Sequence, residues 1–185
     1  GYRHIDTAQM YGNEEGVGQA IAESGIPRDE LFITSKLNND NHRPADAERS
    51  FEETLRRLGT DRVDLFLIHW PLPTRYDGDF VSTWRTLTGF REDGRARSVG
   101  VSNFQPEHLS RIIEETGEVP AVNQIELHPH MQQAGLRSYH ERHGIRTEAW
   151  SPIGQGRGLL DAPELSEIAQ AHGKSAAQVV LRWHV

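Results

Sequence analysis

Six short apolar runs, rich in β-branched residues, recur along the chain: HIDTA (4–8), LFITSKL (31–37), VDLFLIHW (63–70), RSVGVSN (97–103), AVNQIEL (121–127) and IRTEAWS (145–151). Each reads as a strand, and the near-continuous apolar character suits strands covered on both faces, as in a parallel sheet flanked by helices. The segments between them carry apolar residues at helical spacing: Val17 and Ile21; Phe51, Leu55 and Leu58; Trp84 and Leu87; Leu109, Ile112 and Ile113; Leu136 and Tyr139. Asn13 is placed to cap the first helix, and Gly59, Gly117 and Gly144 to stop later ones. Val179 and Trp183 read as core residues of a last helical stretch. The pattern is repeated β/α in one domain, 1–185, with no low-complexity linker.

An open doubly wound sheet and a closed barrel both accept that rhythm. The polar residues separate them. Asp6, Lys36, His69, Asn103, Gln124 and Trp150 each fall at or near the C-terminal end of a different strand, the end where barrel loops build an active site. An open sheet would gather its ligand groups at one switch point, usually with G-x-G-x-x-G after the first strand. Here that strand runs into DTAQMYGNEEGVG, which lacks the fingerprint. The expected fold is therefore α/β, a (β/α)8 TIM barrel. At roughly 31 residues per β/α unit, the 185 residues hold about six of the eight units. The chain opens on Gly1 and stops at Val185 inside a helical pattern, so the expectation is a fragment truncated at both ends, unstable and poorly active alone.

Composition narrows the function classes. The net charge is −7 with no Lys/Arg block, which argues against a nucleic-acid partner, because phosphate binding needs clustered cations. No stretch approaches the roughly 18 apolar residues of a membrane span, and no signal-peptide pattern is present. With no cysteine there are no disulfides or thiolate metal sites. A cytoplasmic location fits these features.

Asp6, Tyr11, Lys36 and His69 combine an acid, a phenol, an amine and an imidazole at neighbouring strand ends. An ammonium about 4 Å from a phenolate attracts it by roughly 4 kcal/mol at an effective dielectric of about 20, which makes the phenol a better proton donor. Asp6 would fix Lys36, and His69 could donate a hydrogen bond to a carbonyl oxygen. Such a set suits carbonyl reduction, although taken singly Asp6 and Lys36 fit a structural ion pair, His69 a core histidine and Tyr11 a packing residue. His128 and His130 in HPH raise a metal site, but no third ligand accompanies them, so no metal is expected. Glu52, Glu53, Arg56 and Arg57 have the spacing of a solvated helix face.

The chain resembles the aldo-keto reductase family, and within it the bacterial 2,5-diketo-gluconate reductase branch. The resemblance rests on GYRHIDTAQMYGNEEGVGQAI, FITSKL, VDLFLIHWP, SVGVSNF, PAVNQIELHP and EAWSPIGQG, six motifs in the family's order and spacing. It implies NADPH-dependent hydride transfer to an aldehyde or ketone, with Tyr11 as proton donor, Lys36 and Asp6 tuning it and His69 orienting the substrate. It also implies that Ser102, Asn103 and Gln124 hold the nicotinamide carboxamide, that Trp150 stacks on the ring, and that Ser151, Ile153 and Gln155 line the pyrophosphate. A side-chain amide suits a carboxamide, an indole face suits a flat heterocycle, and a glycine-rich GQGRG lets backbone approach phosphate.

Two departures matter. The Lys-Ser…Arg segment that grips the adenosine 2′-phosphate in relatives is not in this sequence, so NADH is not excluded. Asn38 stands where relatives usually have Trp, so a pocket edged by Met10, Asn38, Trp70 and Phe104 would be more polar and would suit a keto sugar acid. The expected partner is a small carbonyl substrate, and the full-length protein is expected to be a monomer. The alternatives are a non-catalytic nucleotide-sensing or partner-binding barrel of the same fold, or an inactive fragment.

Overall fold

All six apolar runs form strands in the computed structural model, which describes residues 1–185: β1 (His4–Asp6), β2 (Phe32–Leu37), β3 (Leu65–Ile68), β4 (Val99–Ser102), β5 (Val122–Glu126) and β6 (Arg146–Trp150). Helices alternate with them: α1 (Glu14–Glu23), α2 (Pro44–Leu58), α3 (Phe80–Glu92), α4 (Pro106–Thr116) and α5 (Ala134–His143), while α6 (Pro163–His172) and α7 (Ala176–Trp183) both follow β6. No helix is long and apolar enough to cross a membrane. Packing divides the chain into two compact units, residues 1–123 and 124–185.

In the first unit β1 to β4 pair in parallel and in chain order, with Asp6 opposite Thr34, Lys36 opposite Leu67 and Ile68 opposite Val101. Because β2 and β3 are covered on both faces, they are buried almost throughout, as their unbroken apolar runs predict. Behind them Phe51 of α2 packs on Phe66 and Phe90, with ring centroids 4.4 and 4.2 Å apart. Helix α2 buries Ala47, Phe51, Thr54 and Leu58, one stripe at helical spacing. On its outer face Glu53 binds both Arg56 and Arg57. Gly59, Gly117 and Gly144 end α2, α4 and α5 in the left-handed conformation that glycine adopts without penalty. Asn13 does sit at the N-cap of α1, but its side chain does not cap: its Oδ1 accepts from the Thr7 hydroxyl at 2.6 Å instead.

Two features of this unit carry stability. Gly18 lets α1 lie against the end of α2: a Cβ there would be 2.4 Å from the Arg57 carbonyl oxygen and 2.8 Å from the Leu58 carbonyl carbon. Gly18→Ala is therefore expected to lower stability by about 2–3 kcal/mol through overpacking, outweighing the roughly 1 kcal/mol of helix propensity that alanine brings. Urea unfolding measures the difference, and an unchanged or raised midpoint would contradict the close approach.

Asp64, just before β3, is buried and ties the starts of the strands together. Its carboxylate accepts from the Ile33 amide at 2.9 Å, while its own amide donates to the Ile33 carbonyl at 2.9 Å. Arg28 and Arg97 approach it at 2.8 and 3.1 Å. Burial pushes the Asp64 carboxyl up, but the Ile33 amide and the two guanidiniums outweigh that and hold it below the usual carboxylate range. Because Arg97 and part of Arg28 reach solvent, Asp64→Ala is expected to cost about 3 kcal/mol, the low end for breaking a buried pair. A loss under 1 kcal/mol in chemical denaturation would show that the network holds without it.

In the second unit the Leu127 amide donates to the Trp150 carbonyl at 3.4 Å. α7 opens with a capping box in which Ser175 and Gln178 bond reciprocally. Contrary to the sequence reading, Trp183 is exposed and Val179 only half-buried; the inward side of α7 is centred on Val180. Successive helical residues are rotated by about 100°, and the Trp183 indole lies along an open groove of about 1300 Å³ shared with Leu127, Ala149 and Leu181.

Candidate active site

Three strand ends and one turn assemble the cluster in the first unit. Asp6 is the last residue of β1, Lys36 lies near the end of β2, and His69 directly follows β3. The chain then returns from β1 through a 3-10 turn, Gln9–Tyr11, that swings Tyr11 back over the strand ends. Lys36 is 1% exposed, and its ammonium is fully engaged: Nζ pairs with Asp6 Oδ1 and donates to the Thr7 carbonyl at 3.0 Å and to the Tyr11 hydroxyl at 3.5 Å. Three donors meet three acceptors, which offsets the cost of taking a cation out of water. Nζ also lies 5.1 Å from the Tyr11 ring centroid. Tyr11 itself is 51% exposed, although Lys36 lies against its ring and hydroxyl.

His69 meets the Tyr11 ring edge-on, with centroids 5.8 Å apart at 78°. Burial pushes its imidazole down to about 4, and the Lys36 ammonium acts in the same direction against the opposing pull of Asp6. At neutral pH the ring is therefore uncharged, with one nitrogen a donor and the other an acceptor. Its Nδ1 has no hydrogen-bond partner in the protein. Asn103 donates to the His69 carbonyl and to Ser102 Oγ, both at 3.0 Å, and takes a left-handed backbone with φ of 64°. Asp6, Tyr11, Lys36 and His69 are thus brought together. A phenol backed by an ammonium can give up a proton, and a neutral imidazole can donate a hydrogen bond.

Of the pocket residues read from the sequence, Met10 and Trp70 are exposed and Asn38 is half-buried. Phe104 is a correction. It is fully buried, edge-on to Phe80 and His108 with centroids 5.6 and 5.8 Å away, so it belongs to the core and offers no face to a ligand. Ser102 is buried at the end of β4.

In the second unit Gln124 is buried on β5 and its Nε2 donates to Glu148 Oε1 on β6 at 2.8 Å. Trp150 ends β6 half-buried, and Ser151 follows with φ of 52°. Ile153 and Gln155 are exposed. Gly154, Gln155, Gly156 and Gly158 all have positive φ, and a Cβ at Gly154 would sit 2.8 Å from that of Leu159. Such turns leave backbone N–H groups to face an anion. His128 and His130 have ring centroids 6.4 Å apart, and the His128 ring nitrogen Nε2 lies 3.3 Å from Glu126 Oε1.

Sequence reasoning missed the Thr7 carbonyl, a backbone acceptor that no side chain announces, and Glu148, whose partner on β5 becomes apparent only in space. It also missed Gln9, whose amide bonds to Ser50, Thr54, Asn38 and Asn41.

The sequence profile of the Aldo/keto reductase family matches residues 1–185. An aldo-keto reductase of Mycolicibacterium smegmatis is 53% identical over 185 residues, covering 100% of this chain and 66% of that protein. The methylglyoxal reductase DkgA of Yersinia pestis is 50% identical over 187 residues, again covering 100% of this chain and 66% of the relative. The chain thus spans just under two thirds of the length of these relatives. Among solved structures, a mutant of Gox0644 in complex with NADPH superposes with a TM-score of 0.93 at 48% identity, covering 100% of this chain and 65% of the other.

Proposed function

The chain belongs to the aldo/keto reductase family, and from that premise we propose that the protein reduces a small aldehyde or ketone to the alcohol with NADPH, on a (β/α)8 barrel of which residues 1–185 form part of a single domain. The observation that carries this reading is the Lys36 ammonium held between Asp6 and the hydroxyl of a half-exposed Tyr11.

The substrate oxygen is placed within reach of Tyr11 and His69. The Tyr11 hydroxyl gives its proton to that oxygen, and the phenolate left behind is stabilised by the ammonium of Lys36. Neutral His69 donates a hydrogen bond to the same oxygen and fixes the carbonyl's orientation. Exposure lets Tyr11 regain its proton from water. When bound, NADPH supplies the hydride that reaches the carbonyl carbon, so that hydride plus proton yields the alcohol.

The residues present fit such a cofactor. Asn103 and Gln124 are side-chain amides suited to a carboxamide with Ser102 beside Asn103, Trp150 offers a flat face for the ring, and Ser151, Ile153 and Gln155 flank a glycine-rich turn whose backbone suits pyrophosphate. The NADPH complex of Gox0644 and the methylglyoxal reductase activity in the name of DkgA support the cofactor and a small carbonyl substrate. Met10, Asn38 and Trp70 would edge the pocket. With a half-buried amide at Asn38, a polar substrate such as a keto sugar acid suits it, and the full-length protein is taken to act as a monomer.

The test follows, for the full-length protein, NADPH absorbance with methylglyoxal, simple aldehydes and keto sugar acids, and NADP⁺ reduction with the corresponding alcohols. Carbonyl-dependent NADPH loss is expected. Its absence with every compound, from a preparation that unfolds cooperatively, would overturn the reading.

A further inference from the structure

We propose that Gln9 is a positioning residue for the proton donor, its side-chain amide clamping the turn that bears Tyr11 to helix α2 and to the backbone of Asn38. The proposal rests on the reading of Tyr11 as the proton donor. A three-residue 3-10 turn has little rigidity of its own. Here it is held by backbone bonds from Tyr11 N to the Ala8 carbonyl at 3.0 Å and from Gly12 N to the Gln9 carbonyl at 3.3 Å, with no side-chain cap.

The Gln9 side chain supplies the missing anchorage. Nε2 donates to the Ser50 carbonyl at 3.1 Å and to Thr54 Oγ1 at 3.0 Å, both on α2. Oε1 accepts from the Asn38 amide at 2.8 Å and from Asn41 Nδ2 at 3.3 Å. Both donors and both lone pairs of the amide are used. One side chain therefore fixes the donor's turn and the segment that carries a pocket-edge residue in a single frame.

The frame continues to the strand that carries Lys36. Thr54 Oγ1 donates to Glu14 Oε2 at 3.4 Å, and Ser35, the neighbour of Lys36, donates to Glu14 Oε1 at 2.7 Å. Glu14 is buried and occupies the first residue of α1, where the positive end of the helix favours a carboxylate. Lys36 and Tyr11 are thus referenced to one another through Gln9, Thr54, Glu14 and Ser35. The distance they must keep is unforgiving, since Nζ to the Tyr11 hydroxyl is already 3.5 Å, the outer limit of a hydrogen bond.

The experiment is a double-mutant cycle on the full chain, with amide hydrogen exchange as a readout independent of turnover. Gln9→Leu keeps much of the volume and removes all four bonds. It is expected to lower kcat by about 10–100-fold, the scale of a misplacement near 1 Å, with little change in the KM for NADPH. Tyr11→Phe with Gln9→Leu should be no slower than Tyr11→Phe alone, because Gln9 acts through Tyr11. In Gln9→Leu the Asn38 and Tyr11 amides should exchange at least about tenfold faster, while that of Leu67 is unchanged. Gln9→Glu keeps the acceptor and loses the donors, so an intermediate loss is expected; it takes over the cycle if the leucine variant does not fold cooperatively. Wild-type kcat and exchange in the Gln9 variants, or losses that multiply in the double variant, would overturn the proposal. Turnover that survives Tyr11→Phe would instead overturn the donor assignment on which it stands.

Discussion

Tyr11→Phe is expected to lower kcat by about 10²–10⁴-fold, the usual contribution of a positioned general acid, while cofactor affinity stays within a few-fold of wild type. The substitution deletes one oxygen atom and leaves the ring where it is. The edge-on contact with His69 at 5.8 Å and the approach of Lys36 Nζ to the ring centroid at 5.1 Å both survive. Because the Tyr11 hydroxyl is one of the three acceptors of the buried Lys36 ammonium, the stability loss is expected to be about 1–2 kcal/mol. Steady-state kinetics with a titrated carbonyl substrate, paired with fluorescence titration of NADPH, separates the two effects. Near-normal turnover in the variant would remove Tyr11 from the chemistry.

Acidification from pH 7 to 4.5 is expected to destabilise the fold by about 2–3 kcal/mol for each of three buried histidines. His42, His69 and His140 are 2%, 7% and 1% exposed, and burial is the leading cause that pushes each of them down to about 4. Arg75 adds to the effect at His42 and Lys36 at His69.

Above pH 6.5 these rings are neutral in both states and contribute no pH dependence. Between 6.5 and 4 the unfolded chain binds protons that the folded chain refuses, so stability falls as pH falls, and the loss levels off below the folded value. Together the three are comparable to the whole stability of an ordinary domain, about 5–15 kcal/mol. Urea unfolding across this range should show the decline, and His42→Gln should flatten it by about one proton. A flat profile down to pH 4.5 would mean that these rings are hydrated in solution. With His69 neutral through the same window, the pH profile of kcat is expected to show no limb from this ring until near pH 4.

Much of the architecture was legible in the sequence because strands covered on both faces must be apolar throughout, and all six runs became strands. The strand-end position of Asp6, Lys36 and His69 was legible for a related reason: a polar residue ending an apolar run has to be facing something other than core. Details that depend on which partner wins in space were not. Asn13 looked like a cap, but Thr7 claims its oxygen. Phe104 is read from the sequence as a pocket edge, yet Phe80 and His108 enclose it. Gln9 carried no signal at all, since its four partners come from residues 29 to 45 positions away in the chain. The roles of Ser151, Ile153 and Gln155 came from family resemblance and not from periodicity.

The environment of Lys36 bears on how this chain distributes its cations. The sequence contains two lysines, Lys36 and Lys174, against eighteen arginines. Surface work such as pairing with Glu53, Asp93 or Glu115 is done by guanidinium groups, whose flat forks bind a carboxylate edge-on. Asp6, the Thr7 carbonyl and the Tyr11 hydroxyl surround Nζ as three separate acceptors. A compact ammonium with three rotatable donors can serve all of them from one point. A planar fork projects its donors in one plane and needs more room than a side chain 1% exposed has available. In an arginine-dominated chain, the lysine at this position is therefore a choice of shape as much as of charge, and the two basic residues are not interchangeable there.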